Sequence, residues 1–439
     1  MRPSITTALC LALAVALPAD AQIPRVDERI ADAIADVSPE RLQRYLSTLV
    51  SFQTRQTMSV SGRSDWGIRA ARESMVETLA GFSDRVEAGL DCYQVAPQGP
   101  RIPVAVEVCN VVAVLPGRSE RRIYVSGHYD TVAERPEGGF DWTRWDNPAP
   151  GANDDGSGTV LTMEVARVLA QSGLDFDATL VFVGFAGEEQ GLVGATLHAA
   201  RALREEWTID AVFNNDIVGN SLGGNGIPDG RTVRVFSEDP TDSPSRQLAR
   251  YIQRHAALYV PGHEVRLIAR EDRFGRGGDH TAFNQAGFTA VRFTESRENY
   301  SRQHLAQDTL GGVDFEYLAR NVRVNAAVVA ALALAPPAPL VLGPFGPRLE
   351  RGESGYDAAL EWDASPGAVG YRVVWREAWT PDWQFEMHVG DVTELTLPDI
   401  SIDDYIFGVA AVGPGGHESV VSPYVRPPRS AVEVQGTGR

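Results

Sequence analysis

Short, continuous apolar runs recur through the first three quarters of the chain, with helix-period segments between them. Residues 111–115, 123–126, 179–185, 211–214, 233–236 and 290–293 read as strands. A run such as TLVFVGF has no polar face to offer water, so it requires a sheet covered on both sides. The segments at 158–172, 192–204, 243–257 and 314–334 carry helical spacing and supply that cover. Upstream, Ser38-Pro39-Glu40 is a helix start signal ahead of apolar residues Leu42, Tyr45, Leu46 and Leu49, and a second helix is expected over 66–80. This alternation predicts an α/β fold: a mostly parallel central sheet sandwiched by helices.

The pattern ends at Ala335-Pro336-Pro337-Ala338-Pro339, which opens a stiff proline-rich linker over 335–340. Helical spacing then disappears, and alternating strands at 359–362, 371–375 and 405–412 predict a small all-β sandwich over 341–428, followed by a tail over 429–439. In this stretch the sequence resembles a fibronectin type III domain. Trp362 stands where that family buries a strand-B tryptophan and Tyr371 where it has a strand-C tyrosine. LPDISIDDYIFGVAAVGPGGHES, with Leu397 and Tyr405, is similar to its tyrosine corner. The resemblance implies a packing or adhesion module and carries no chemistry.

At the start, MRPSITTALCLALAVALPADAQ has one Arg, an apolar run from Ile5 to Leu17 and a small-residue cleavage pattern, Ala19-Asp20-Ala21. Residues 1–21 are therefore expected to be a cleaved signal peptide, the remainder over 22–334 being the α/β domain, and the protein secreted or periplasmic. No segment reaches the roughly 20 apolar residues of a transmembrane helix. Cleavage removes Cys10 and leaves Cys92 and Cys109, an even pair outside the reducing cytosol, which predicts one disulfide. Such a link contributes on the order of 3 kcal/mol in the chain-entropy model. Forty basic residues against 58 acidic ones leave a formal charge of −18, which excludes nucleic acid as the main partner. Oligomeric state is not legible.

Chemistry-bearing residues gather just after the strands, at the edge where open α/β sheets hold ligands. SGHYDTV supplies His128 and Asp130, GANDDGSG Asp154 and Asp155, FAGEEQG Glu188 and Glu189, FNNDIVGN Asp216, and NYSRQHLAQDT His304. Each fragment alone has a bland reading: a capped helix, a solvated turn, a core histidine. Their coincidence at strand ends does not. Two His and at least three carboxylates, with no free Cys, form the donor set of a borderline divalent ion, zinc being the natural occupant. If one Asp of the 154–155 doublet bridges two ions, His128 and Asp216 complete one position and Glu189 and His304 the other. The adjacent Glu188 is then left as proton acceptor.

GHYDT, PGANDDGSG, FAGEEQGLVGA, NNDIVG, GRGGDHTAF and QHLAQDT, in this order over 105–310, resemble the secreted aminopeptidases of the aminopeptidase Y family in metallopeptidase clan MH. SFQTRQT in the helical lead is similar as well. The resemblance implies two zinc ions held by His128, Asp154, Glu189, Asp216 and His304, with Asp154 as the bridge and Glu188 as general base. Asp130 is expected to accept the other ring N–H of His128 and Asp308 that of His304. Tyr300 is a candidate donor to the developing oxyanion, although its spacing from His304 departs from the family pattern. His280 is assigned a structural role.

These readings converge on release of the N-terminal residue from a peptide or protein. Three alternatives stand beside it: a mono-zinc glutaminyl cyclase, a carboxypeptidase of the same clan, and a non-catalytic ectodomain-like binding protein.

Overall fold

The computed structural model describes residues 26–135 and 138–426. The expected signal peptide and the tail over 429–439 lie outside these residues. Eight helices are found among them: α1 (Glu28–Ala35), α2 (Pro39–Ser51), α3 (Gly67–Ala80), α4 (Gly156–Gln171), α5 (Val193–Arg204), α6 (Pro244–Tyr259), α7 (Asp279–Gln285) and α8 (Phe315–Ala333). The main sheet contains β1 (Glu87–Val95), β2 (Val106–Leu115), β3 (Arg122–His128), β4 (Thr179–Phe185), β5 (Ile209–Asn215), β6 (Thr232–Ser237), β7 (Glu264–Ile268) and β8 (Ala290–Glu295). Their order is β1-β2-β4-β3-β5-β8-β6-β7. The centre, β4-β3-β5-β8, is parallel, as is β6-β7, while β1, β2 and the β6–β8 pair bring in antiparallel ladders.

Strand period explains the two cores. Ile123 and Val125 of β3, Leu180 and Phe182 of β4, and Ala211 and Phe213 of β5 face a large cluster with the α2, α3, α4, α6 and α8 side chains. The intervening Tyr124, Val181, Val183 and Val212 face a smaller cluster beneath α5 and α7. Both faces are covered, as the unbroken apolar runs require. Strand β1 and strand β7 have no such run. β1 is an edge strand with alternating half-exposed residues, EAGLDCYQV, and its polar and glycine positions hid it in the sequence. It pairs with β2 so that Cys92 lies opposite Cys109, and the two form the expected disulfide.

Among the described residues no helix is long and apolar enough to cross a membrane. Beyond α8 the chain forms small antiparallel sheets. Leu342–Gly343 and Gly346–Pro347 pair in a two-stranded sheet, Leu349–Glu350, Ala358–Glu361 and Glu394–Leu397 make a three-stranded one, and Phe385–Val389, Gly370–Glu377, Tyr405–Val412 and Ser422–Pro423 a four-stranded one. Trp362, Tyr371, Val373, Phe407 and Val409 pack between the latter two. Tyr405 packs on Phe385 and Phe407, and its hydroxyl finds no hydrogen-bond partner among the described residues. The tyrosines that tie back to backbone are Tyr371, accepting from the Ser365 N–H, and Tyr424, donating to the Glu361 carbonyl.

The outer face of the four-stranded sheet is docked on α6. Arg376 forks onto Asp242 at 2.7 and 2.9 Å, the Trp383 indole N–H donates to Gln247, and Arg254 pairs with Glu386 at 2.9 Å.

Candidate metal centre

Parallel pairing brings the carboxyl ends of β3, β4 and β5 together, with His128 opposite Phe185 and Ser126 opposite Asn214. His128 closes β3, the Glu188-Glu189 turn follows β4, and Asp216 follows β5. Asp154 arrives from the loop before α4. Asp155, the second acid of the doublet, caps that helix by accepting from the Gly158 N–H. It also accepts from the backbone N–H of His128 and of Ile217, so one buried carboxylate sews α4 to the ends of β3 and β5. This explains why Asp154 and not Asp155 is free to face the site.

Two donor groups result, each with its candidate ligand atoms within 4.8 Å of one another: His128, Asp154 and Asp216, and Asp154, Glu189 and His304. His128 Nε2 lies 3.3 Å from Asp154 Oδ1 and 3.8 Å from Asp216 Oδ1. His304 Nε2 lies 3.1 Å from Asp154 Oδ2 and 3.3 Å from Glu189 Oε2. Glu188 belongs to neither group, its Oε2 standing 4.0 Å from His128 Nε2. Among the described residues, buried Glu189 Oε1 has no hydrogen-bond partner, and Asp154 Oδ2 has only the His304 ring nitrogen beside it. Uncompensated carboxylate oxygens in a dry interior cost several kcal/mol, so this donor set fits divalent cations.

The surroundings orient the ligand side chains. His128 Nδ1 faces the backbone carbonyl of Asp130 at 3.1 Å, closer than the Asp130 carboxylate at 3.5 Å. The ring nitrogen thus meets the Asp130 carbonyl first, where the sequence reading expected the side chain. Nδ1–H donating to that carbonyl leaves the Nε2 lone pair toward Asp154 and Asp216. The carboxylate of Asp130 instead accepts from the backbone N–H groups of Glu188 and Glu189 and from Thr57. Asp308 corrects a second expectation. Its carboxylate accepts from the Asn153 and Asp154 N–H groups and is not the partner of the His304 ring, because the loop after His304 folds back under the Asp154 backbone.

Burial and charge act on every group. Burial opposes protonation of His128, yet the carboxylates of Glu188, Asp130, Asp154 and Asp216 outweigh it and hold the imidazole well above its ordinary value. The Glu189 charge, opposed by burial and aided by Asp154, raises His304 to about 10. Burial pushes Glu188 up to about 7, with Asp216, Asp130 and Asp154 adding and His128 opposing. Asp154 is driven well below the usual carboxylate range, because His304 and His128 overcome its burial.

Three residues near the site escaped the sequence reading. Arg292, fully buried on β8, pairs with Asp216 Oδ2 at 2.9 Å and Asp272 Oδ2 at 3.0 Å and donates to the Gly277 carbonyl. It occupies the second oxygen of Asp216 and outweighs burial in lowering that carboxyl. Asp272 completes the pair from the loop before α7. Asp279, next to His280 in GRGGDHTAF, is buried with both oxygens unpartnered, and burial together with the Glu188 charge raises it well above its ordinary value. Only the motif around His280 signalled this position. His280 itself bonds the Glu271 carbonyl and belongs to neither donor group. Tyr300 is 63% exposed and makes no hydrogen bond to the site among the described residues.

Residues 110–329, half the chain, match the model of peptidase family M28. The chain belongs to this family. A probable zinc metalloprotease of Leptosphaeria maculans is 38% identical over 425 residues, covering 89% of this chain and 95% of that protein. Another, from Pyricularia oryzae, is 36% identical over 440 residues, covering 91% and 84%. Among solved structures, the LapA aminopeptidase of Legionella pneumophila superposes with a TM-score of 0.55 at 21% identity, over 71% of this chain and 76% of that one. A glutaminyl cyclase of Fimbriiglobus ruber superposes at 0.53 and 20% identity, over 72% and 99%. Two chemistries share this fold, so these neighbours establish architecture alone. This M28 chain is a metallopeptidase acting on peptide substrates.

Proposed function

We propose that the protein is a secreted di-zinc aminopeptidase, resembling the aminopeptidase Y family, that releases N-terminal residues. The observation that carries the reading is Asp154 shared between two donor groups, with Glu188 outside both. His128 and Asp216 would hold one ion, Glu189 and His304 the other, and Asp154 both. Zinc at the two positions supplies Lewis acidity toward the scissile carbonyl and acidifies the attacking water.

The remaining work falls to side chains of this chain. Glu188 takes a proton from the attacking water and returns it to the leaving amine. Its carboxyl, raised to about 7, is suited to both halves of that transfer near neutral pH. Asp130 keeps Glu188 and Glu189 apart in direction by holding both of their backbone N–H groups. Tyr300, exposed on the segment that carries His304, is the oxyanion donor in this reading.

The same proposal divides the chain into a signal peptide over 1–21, a peptidase domain over 22–334, a linker over 335–340 and a fibronectin type III-like sandwich over 341–428. The deciding experiment measures zinc content and kcat of Glu188→Gln on an aminoacyl anilide. Two zinc equivalents with a kcat loss of about 10²–10⁴ are expected; a near-normal kcat overturns the base assignment. Cleavage of N-blocked peptides in preference to free N-termini overturns the aminopeptidase reading. Mature protein beginning at Gln22 supports export.

A further inference from the structure

A closed circuit of contacts surrounds the Glu189–His304 half of the site, and none of its three outer members is a ligand. Phe140 sets its ring edge-on to His304, with centroids 5.7 Å apart. Trp142 stacks on Phe140 at 5.2 Å. The guanidinium of Arg101 lies 5.5 Å from the centre of the Trp142 ring, and its Nη1 donates to the backbone carbonyl of Glu189 at 3.1 Å. Arg101 comes from the tip of the β1–β2 hairpin, which the Gln98–Ile102 bridge closes and the Cys92–Cys109 disulfide cross-links within the ladder below. Phe140 and Trp142 come from a different loop. Two unrelated segments therefore meet over one face of the candidate metal centre.

Arg101 is exposed, and among the described residues no carboxylate lies within ion-pair distance of it. In a chain of net charge −18, Arg101 is thus a solvent-facing cation held without a carboxylate against the backbone of a candidate ligand. Its aromatic partner fixes the guanidinium plane at little entropic cost and leaves further N–H donors for a ligand. The free ammonium of a peptide N-terminus is repelled by a guanidinium and drawn to the carboxylates of the site, so the anion that suits Arg101 belongs on the leaving side of the scissile bond.

We propose that Arg101, braced by Trp142, selects substrates with a carboxylate on the residue after the scissile bond. This rests on the aminopeptidase reading for the direction of the peptide. The shared chemistry is a carboxylate, either the terminal one of a dipeptide or that of an acidic side chain.

The test measures binding, which does not depend on turnover. Zinc-loaded Glu188→Gln protein is titrated by calorimetry with Leu-Ala, Leu-Ala-amide and Leu-Glu-amide. Binding about five- to tenfold tighter than to Leu-Ala-amide is expected for a carboxylate-bearing peptide. Tightest binding of Leu-Ala assigns the terminal carboxylate, and tightest binding of Leu-Glu-amide the side chain. R101E on the same background reverses the preference, R101K restores part of it, and W142A weakens it. Zinc content measured alongside separates recognition from damage to Glu189. A ratio of affinities that R101E leaves unmoved, or no preference at the outset, overturns the proposal. Tight carboxylate-dependent binding without cleavage of these peptides by the unsubstituted enzyme sinks the aminopeptidase reading and with it the placement after the scissile bond, and leaves Arg101 as a carboxylate-binding residue.

Discussion

His128 and His304 flank Asp154, but the chain holds them by different means. On the His128 side the candidate ligands sit at the ends of β3 and β5, with side chains 1% and 5% exposed. The ring is locked by the Asp130 carbonyl, the second oxygen of Asp216 is taken by Arg292, and Asp155 ties both strands to α4. On the other side Glu189 lies in a turn and His304 on a loop, 27% exposed and in the left-handed backbone region at φ 56°. That conformation costs a non-glycine residue roughly 1 kcal/mol or more. Glu189 Oε1 has no partner at all. The strand-borne half is arranged by the fold itself; the loop-borne half has unspent polar capacity that an ion would satisfy, so metal binding there contributes order to the loops.

The most severe way to probe this contrast is to remove what the halves share. Asp154→Asn should abolish tight zinc binding at both positions and with it turnover, measured as metal content after gel filtration and as anilide hydrolysis. Retention of one equivalent at native affinity would show that the halves do not depend on a common oxygen. Next in size is Arg292→Met, which removes the cation shared by Asp216 and Asp272 and leaves Asp272 to Arg273 and Asp216 to His128. Urea unfolding of the zinc-free protein should show a loss of about 3–5 kcal/mol, larger than the loss for His304→Ala, whose loop relaxes toward solvent and rehydrates Glu189. Equal costs would erase the distinction between braced and unbraced halves. Third, zinc should slow amide hydrogen exchange around residues 186–191 and 296–309 far more than in β3 and β5, and His304→Ala should remove that protection together with one zinc equivalent.

The smallest effect is on pH. His304 is raised to about 10 and His128 well above its ordinary value, so between about 6.5 and 10 the zinc-free fold binds more protons than the unfolded chain. Their contribution is complete below about 6.5 and is lost as the pH rises through the folded values. The Asp272 carboxyl is lowered, since Arg292, His280 and Arg273 overcome its burial, and its contribution is present above about 3.9 and lost in acid. His304→Ala should therefore flatten the alkaline limb of the stability profile, and Arg292→Met the acidic one.

Much of this architecture was legible from local pattern. An apolar strand followed at once by a polar residue marks the carboxyl edge of a parallel sheet, and that rule alone collected His128, Asp130, Glu188, Glu189 and Asp216. The family resemblance over 105–310 then favoured Asp154 over Asp155. The misreadings share one cause. Arg292 lies inside AVRFTE, an otherwise ordinary strand, and becomes significant only because β8 is laid beside β5, putting it against a residue 76 positions away. Asp308 was paired with its neighbour in sequence, His304, while the fold gave its carboxylate to a backbone 154 positions off. Arg101 and Trp142 are loop residues whose meeting follows no periodicity.

Composition and periodicity by themselves determined the layered sheet, the change to strands after residue 334, the cysteine pair and the pool of acids and histidines beside the strand ends, because each is read from local pattern, and the family resemblance chose Asp154 from the acidic doublet. The tertiary structure alone decided which oxygen of Asp216 remains open, which backbone groups occupy Asp130, Asp155 and Asp308, and what lines the approach to His304. Those outcomes depend on strand order and loop closure, where residues distant along the chain compete for the same few ångströms of space and charge.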